Sequence, residues 1–200
     1  MNKKIITLII ILIIVFGSYK WGKNINNTAI ELEANAKTAW SNVESTYQRR
    51  NDLYSSLVKS IRASANFERK TLREVIKARS EATSVKIDAN NLTEEKLQMF
   101  QKAQSHFNSS FDKLLLTFER YPELQTTQQF REFNSQKEGT ENRIEVARKR
   151  YNEAVNKYDI YTTKFPNKIF ASLFGFKEMF RFKAEEGTDK IPEEDYGDLN

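Results

Sequence analysis

The chain predicts an all-α fold: an N-terminal transmembrane helix followed by an elongated antiparallel up-and-down bundle of about four long helices. Three observations predict it. Glycine and proline are scarce, 6 and 3 in 200 residues, while 30% of the chain is charged. Sheets need turn residues about every ten positions; long solvated helices do not. Apolar residues recur at steps of three and four over much of residues 25–164, the spacing of one helical face. An isoleucine-rich run opens the chain.

Residues 1–4 form a short basic N-terminus and residues 5–22 the expected membrane anchor. Residues 5–19 carry no charge; Lys3 and Lys4 precede them, and Tyr19, Lys20, Trp21 and Lys23 follow as interfacial anchors. The strict run is short against the roughly 17–25 residues of a span. Counting Trp21, and letting the lysines snorkel, brings it to spanning length. A cleaved signal peptide has the same basic start, and an interfacial helix is a third reading. The bulky and charged "GSYKWGK" offers no small-x-small cleavage site, which favours an uncleaved anchor. Lysines balance on the two flanks, so the side of the membrane that carries the rest stays open.

The bundle is expected over residues 23–165. Its first stripe runs through Leu32, Ala36, Ala39, Trp40, Val43 and Tyr47, then Tyr54, Leu57, Ile61 and Ala65, then Leu72, Val75, Ala82 and Val85. The pattern weakens at "SANFERK", which predicts a kink or break around Asn66. "DANNLTEE" is a turn, with Thr93 capping a new helix and Glu94 and Glu95 on its positive end. That helix has the cleanest seam: Leu97, Phe100, Gln104, Phe107, Phe111, Leu114, Phe118 and Tyr121, in heptad spacing. Pro122 disfavours helical geometry at Tyr121 and ends it. A last helix is expected from about Leu124 to Lys164, with Phe130, Thr140, Ile144, Ala147, Tyr151, Val155, Tyr158 and Thr162 on one stripe, closed by Phe165 and Pro166. Each stripe must be covered, and short connections make sequential helices antiparallel neighbours.

Charge is uneven. Residues 184–200, "AEEGTDKIPEEDYGDLN", hold seven acids against Lys190, a net of −6, which leaves +11 on the remainder of a chain whose total is +5. A basic body with an acidic, disordered tail fits an anionic surface such as lipid headgroups. Cysteine is absent, which excludes disulfides, thiol nucleophiles and cysteine metal sites.

The segments "AKTAWSNVESTYQRRNDL", "NLTEEKLQMFQKAQ", "RYPEL", "EGTENRIEVARKRYNEAV" and "FPNKIFASLFGFKE" together resemble the LemA family, in order and across nearly the whole chain. The resemblance implies a bacterial protein with an N-terminal membrane helix and a helical-bundle domain, and no established catalytic activity. Where the family commonly shows "DLIPNLV", Tyr54, Ser55 and Ser56 stand in place of Ile-Pro-Asn. Losing that proline predicts a straighter helix.

Little in the sequence carries chemistry. The single histidine, His106, neighbours the seam residue Phe107 and reads as a partly exposed structural residue. No HExxH, Cys/His cluster or glycine-rich phosphate loop is present. No catalytic, cofactor or metal residues are therefore assigned, and no small-molecule substrate is evident. The basic helical stretches alternate with acids at i+4, which favours solvated faces over nucleic-acid binding, and most aromatics lie on seams away from any base.

Two features stand out. Residues 166–183 are aromatic-rich: Phe170, Phe174, Phe176, Phe180 and Phe182 crowd a stretch flanked by lysines and arginine. Either this segment folds back over one end of the bundle or it presents a patch to a partner or to the bilayer interface. The second is "YQRRNDLYSSL", where helical phase puts Arg50 on the inner stripe. Its expected partner is Glu138 or Glu141 across the bundle, with Gly139 allowing close approach of another helix. Such a pair fixes register more than it stabilises; a ligand site at the same spot is the rival.

The function these readings favour is a non-enzymatic, membrane-anchored scaffold or adaptor of the bacterial cell envelope, touching lipid through its N-terminal helix and other envelope proteins through the bundle. A regulatory or substrate-presenting subunit of a membrane enzyme such as a protease is the alternative; a binder of anionic membrane surface is the second.

Overall fold

The computed structural model describes residues 3–62, 68–125 and 127–183. Among them the regular structure is helical throughout: α1 (Lys3–Arg62), α2 (Arg69–Ser84), α3 (Glu94–Thr117), α4 (Pro122–Gln125), α5 (Gln128–Thr163) and α6 (Asn167–Leu173), with short 3-10 turns at Ala89–Asn91 and Phe118–Arg120. The break expected at Asn66, Ala65 and the acidic tail of residues 184–200 lie outside the described residues; α1 ends and α2 begins on either side of that break.

α1 is 60 residues long, about 90 Å at the α-helical rise. Its first third stands clear of the bundle, with every described residue through Trp21 exposed. This is the one described helix long and apolar enough to cross a membrane. From Gly22 onward the helix buries one stripe: Gly22, Ile25, Ala29, Ala36, Trp40, Val43, Tyr47, Arg50, Tyr54, Leu57 and Ile61. These fall at threes, fours and sevens, a heptad seam that keeps facing its partners. The helix runs unbroken through Ser55 and Ser56.

α1 packs mainly along α5, and α2 along α3. α2 and α3 are antiparallel, since Glu68 meets Arg120 at one end while the Gln104 side chain donates to the Ala82 carbonyl toward the other. Their connection follows the turn expected from "DANNLTEE". Asp88 accepts from the Asn90 N–H at 2.9 Å, and Thr93 caps α3 by accepting from the Lys96 N–H.

Two helix boundaries and one buried ring differ from the sequence reading. The α-helix of α3 stops at Thr117 and tightens into a 3-10 turn before Tyr121, which adopts φ −133° ahead of Pro122. The last long helix starts at Gln128, not near Leu124. Pro122 opens a separate turn, α4, and Thr127 then caps α5 by accepting from the Phe130 N–H. Phe133, not Phe130, is the buried ring at that end; Phe130 packs half-buried beside it.

Two cores result. The distal one joins Tyr54, Leu57, Ile61, Leu72, Val75, Phe107, Phe111, Leu114, Phe118 and Phe133 from α1, α2, α3 and α5. The middle one joins Trp40, Val43, Tyr47, Leu97, Phe100, Ile144, Tyr151, Val155 and Phe182. Here α2 has ended, and residues 176–183 form an extended strap in its place.

Candidate functional site

Three features of the bundle hold polar or exposed groups beyond what packing requires: a buried polar node at Arg50, the strap, and α6.

The node lies where the two cores meet. Arg50 is 4% exposed and lies over the Tyr47 ring at 4.9 Å, with the Tyr54 and Phe107 rings each at 5.9 Å. Its guanidinium donates to Gln104 Oε1 at 2.7 Å and to the Gln104 carbonyl at 3.3 Å. Glu141 is 3.9 Å away and 38% exposed, so the ion pair is long and solvent-screened. Glu138 lies on the exposed side of α5. Gln104, the polar interruption of the α3 seam, is therefore the main partner of Arg50; its amide passes the connection on to the Ala82 carbonyl at 3.2 Å. One chain of bonds thus ties α1, α3 and α2 together. Gly139 plays no part in close approach: a side chain added there meets nothing within 4 Å.

The Tyr54 hydroxyl extends the node, bonding to Glu141 Oε1 at 2.9 Å and Asn108 Oδ1 at 3.1 Å. Burial and then the adjoining Glu141 carboxylate push its phenol well above the usual value. Asn108 continues to Asp112, and Asp112 to Lys137 on α5 at 3.1 Å. Arg50 Nε and Asn51 Oδ1 are buried without a hydrogen-bond partner among the described residues. Each such group costs on the order of 1–3 kcal/mol, so the node is held at some expense in stability. His106 is exposed on the outside of α3, with Nδ1 3.2 Å from Glu81.

The strap is built from side chain to main chain. The Tyr151 hydroxyl donates to the Phe180 carbonyl at 2.7 Å, and Tyr158 to the Lys177 carbonyl at 2.8 Å. Asn152 makes a reciprocal pair with the Phe182 N–H and C=O at 2.9 and 3.0 Å. Asp159 accepts from the Met179 N–H and from Arg181. Phe182 then inserts into the core, stacked on Trp40 at 5.7 Å and edge-on to Tyr151. Burial comes first among the causes that raise the Tyr151 and Tyr158 phenols, Tyr158 to about 12.

The aromatic segment accordingly divides, where the sequence suggested one patch. Phe182 is a core residue, not a candidate contact; Phe176 and Phe180 are half-buried within the strap. Phe174 is exposed, and Phe170 is half-buried against α1, its ring 5.9 Å from that of Trp21. Lys3, Lys4, Tyr19, Lys20, Trp21 and Lys23 all project from the exposed part of α1. Between α3 and the strap runs an open trough of about 790 Å³, lined by polar groups such as Gln98, Gln101 and Lys102 and by Met179 and Phe180. A cleft of about 170 Å³ lies between α1 and α2, below the several hundred Å³ usual for a dedicated ligand site.

The polar groups inside the bundle thus serve one another across helices, and the strap is fixed by a set of α5 side chains. Two known proteins share this sequence pattern at a distance. Magnetosome proteins MamQ 2 and MamQ 1 of Paramagnetospirillum magneticum are each 24% identical to the chain over 182 residues, covering 82% of it and 66% of the relative. The chain spans 66% of the length of these relatives. The family model of LemA matches residues 39–195, which takes in the node, the trough, the strap and α6. The chain belongs to the LemA family.

Proposed function

We propose that the protein is a non-enzymatic, single-pass membrane scaffold of the bacterial cell envelope, holding partner proteins at a set height above the bilayer. The observation that carries this reading is the continuity of α1. The same helix supplies the apolar N-terminal run and the central seam of the bundle, without a linker between them. Residues 22–62 alone extend about 60 Å at the helical rise. Anchor and rod therefore move as one body, which suits presentation of a surface better than capture of a diffusing substrate. The polar trough between α3 and the strap is the contact surface with the best combination of size and mixed chemistry.

The test is site-specific photocrosslinking in native membranes from a probe at Gln98 or Lys102, against a control probe at Lys157 on α5. A discrete protein adduct from the trough, absent from the control and lost when residues 1–21 are removed, is expected. Adducts that are the same from both positions would overturn the scaffold reading. A partner enzyme whose turnover changes on adding the purified chain would move the function to the regulatory-subunit alternative.

A further inference from the structure

We propose that α6 is a second membrane contact, an interfacial wedge whose outer ridge enters the lipid headgroup boundary beside the anchor. The proposal rests on reading α1 as a membrane anchor, and adds a second point of attachment that fixes the tilt of the rod.

α6 is built the wrong way round for a helix in water. Ile169 and Leu173, four apart on one face of α6, are 60% and 76% exposed; Phe165, in the turn that precedes the helix, is 82% exposed, and Phe174 at its C-terminal cap is 45% exposed. A lone exposed apolar residue is ordinary, but four large ones within ten residues, two on α6 and two at its ends, are a surface built for an apolar partner. The inner side holds Ala171, which is buried, and Phe170.

Its position identifies that partner. The Phe170 ring rests on Gly22, where an added Cβ would stand 3.1 Å from two ring carbons. Only glycine permits this approach without displacing the ring. Gly22 directly follows Trp21, the aromatic that ends the apolar run of α1. The helix therefore lies within about one turn, roughly 5 Å, of the level where the anchor leaves hydrocarbon.

Charge agrees. Lys164, Lys168 and Lys177 are exposed around the ridge, and Lys20 and Lys23 are exposed on α1; Glu178 is the one acid within residues 164–178. Lysines at this level reach phosphates while their stems lie along lipid. The element is also held from both ends. It follows α5 directly, and Gly175, at φ +80°, turns the chain back so that the Phe176 N–H bonds the Ala171 carbonyl and the strap begins. An apolar ridge pinned in this way penetrates by position, without needing the length of a free amphipathic helix.

The chain has no cysteine, so single-cysteine variants of the full chain take a nitroxide at one place. Labels at Ile169→Cys and Leu173→Cys would be compared with Ile11→Cys in the anchor and Lys157→Cys on the bundle, in phosphatidylcholine–phosphatidylglycerol vesicles. Collision rates with oxygen, which concentrates in lipid, and with a water-soluble nickel chelate are the readout. The ridge labels are expected to show high oxygen and low nickel accessibility, as Ile11→Cys does. Ridge labels that resemble Lys157→Cys while Ile11→Cys reports lipid overturn the wedge and leave the anchor standing. Low accessibility to both reagents at the ridge indicates protein contact and overturns it equally. If Ile11→Cys itself reports water, the anchor reading falls and the wedge with it.

Discussion

The distal and middle halves of the bundle bury similar sets of aromatic rings but close their fourth side differently. In the distal half, α2 supplies Leu72, Val75, Ala78 and Ala82 as a periodic apolar stripe, and the core is sealed helix against helix. In the middle half α2 is gone, and the strap seals the core through one inserted ring, Phe182, and main-chain bonds from Tyr151, Asn152, Tyr158 and Asp159. The first kind of closure spreads its stability over many interchangeable apolar contacts. The second concentrates it in a few directional bonds, each with one acceptable geometry. The distal half should therefore tolerate repacking, while the middle half should respond sharply to single changes.

The largest effect expected is from truncating a central ring in each half. Trp40, 1% exposed, touches Phe100, Tyr151 and Phe182; Phe111, fully buried, touches Tyr54, Phe107 and Phe133. Trp40→Ala and Phe111→Ala should each cost about 3–5 kcal/mol in chemical denaturation of the detergent-solubilised chain. Hydrogen exchange separates them. Trp40→Ala should also deprotect the Met179 and Phe182 amides, and Phe111→Ala should not. Equal deprotection by both would mean that the two cores unfold as one unit.

A smaller effect distinguishes the partners of Arg50 at the junction. Gln104→Leu removes the 2.7 Å acceptor and the bond to Ala82, leaving the buried cation with the main-chain carbonyl at 3.3 Å and one long, screened ion pair. A loss of about 2–3 kcal/mol is expected. Glu141→Gln should cost under about 1 kcal/mol, because Glu141 is 3.9 Å from Arg50 and partly in water. The reverse order would restore Glu141 as the register partner.

Alkaline pH should leave the protein unchanged through the ordinary range and act only above about pH 10. Tyr54 in the distal core and Tyr151 and Tyr158 behind the strap are all held above the ordinary phenol value, by burial first. The folded state thus retains these protons after the unfolded chain has lost them. The stability they contribute is complete below about pH 10 and falls as pH rises through their folded values, from about 12 for Tyr158 upward. Phenolate absorbance should rise in two steps, the later one coinciding with loss of helical circular dichroism. A single step near pH 10 with helicity retained would show these hydroxyls to be open to solvent.

Much of this architecture was legible in the sequence. The α1 seam, the cleanest α3 seam and the α5 stripe were readable because a heptad pattern is local: it depends on side-chain type and helical phase alone. The Thr93 cap and the stop before Pro122 were readable for the same reason. That Arg50 faces inward followed from phase; that Gln104 receives it did not. Gln104 was visible as the polar interruption of its own seam, yet pairing it with Arg50 needs the axial stagger of α3 against α1, which the connection over residues 85–93 sets. The strap was least legible, since α5 grips it through peptide groups that every sequence possesses.

By itself, then, the sequence determined the helices, their buried stripes, an apolar N-terminal run long enough to cross a membrane, and membership of the LemA family. Each of these follows from periodicity, composition or motif order along the chain. Tertiary structure alone decided which polar residue answers Arg50, how residues 166–183 divide into an outward ridge and an inward strap, and that Gly22 meets the Phe170 ring. Those outcomes depend on which surfaces meet at a given height along the rod, and one-dimensional spacing holds no information about height until the helices are docked.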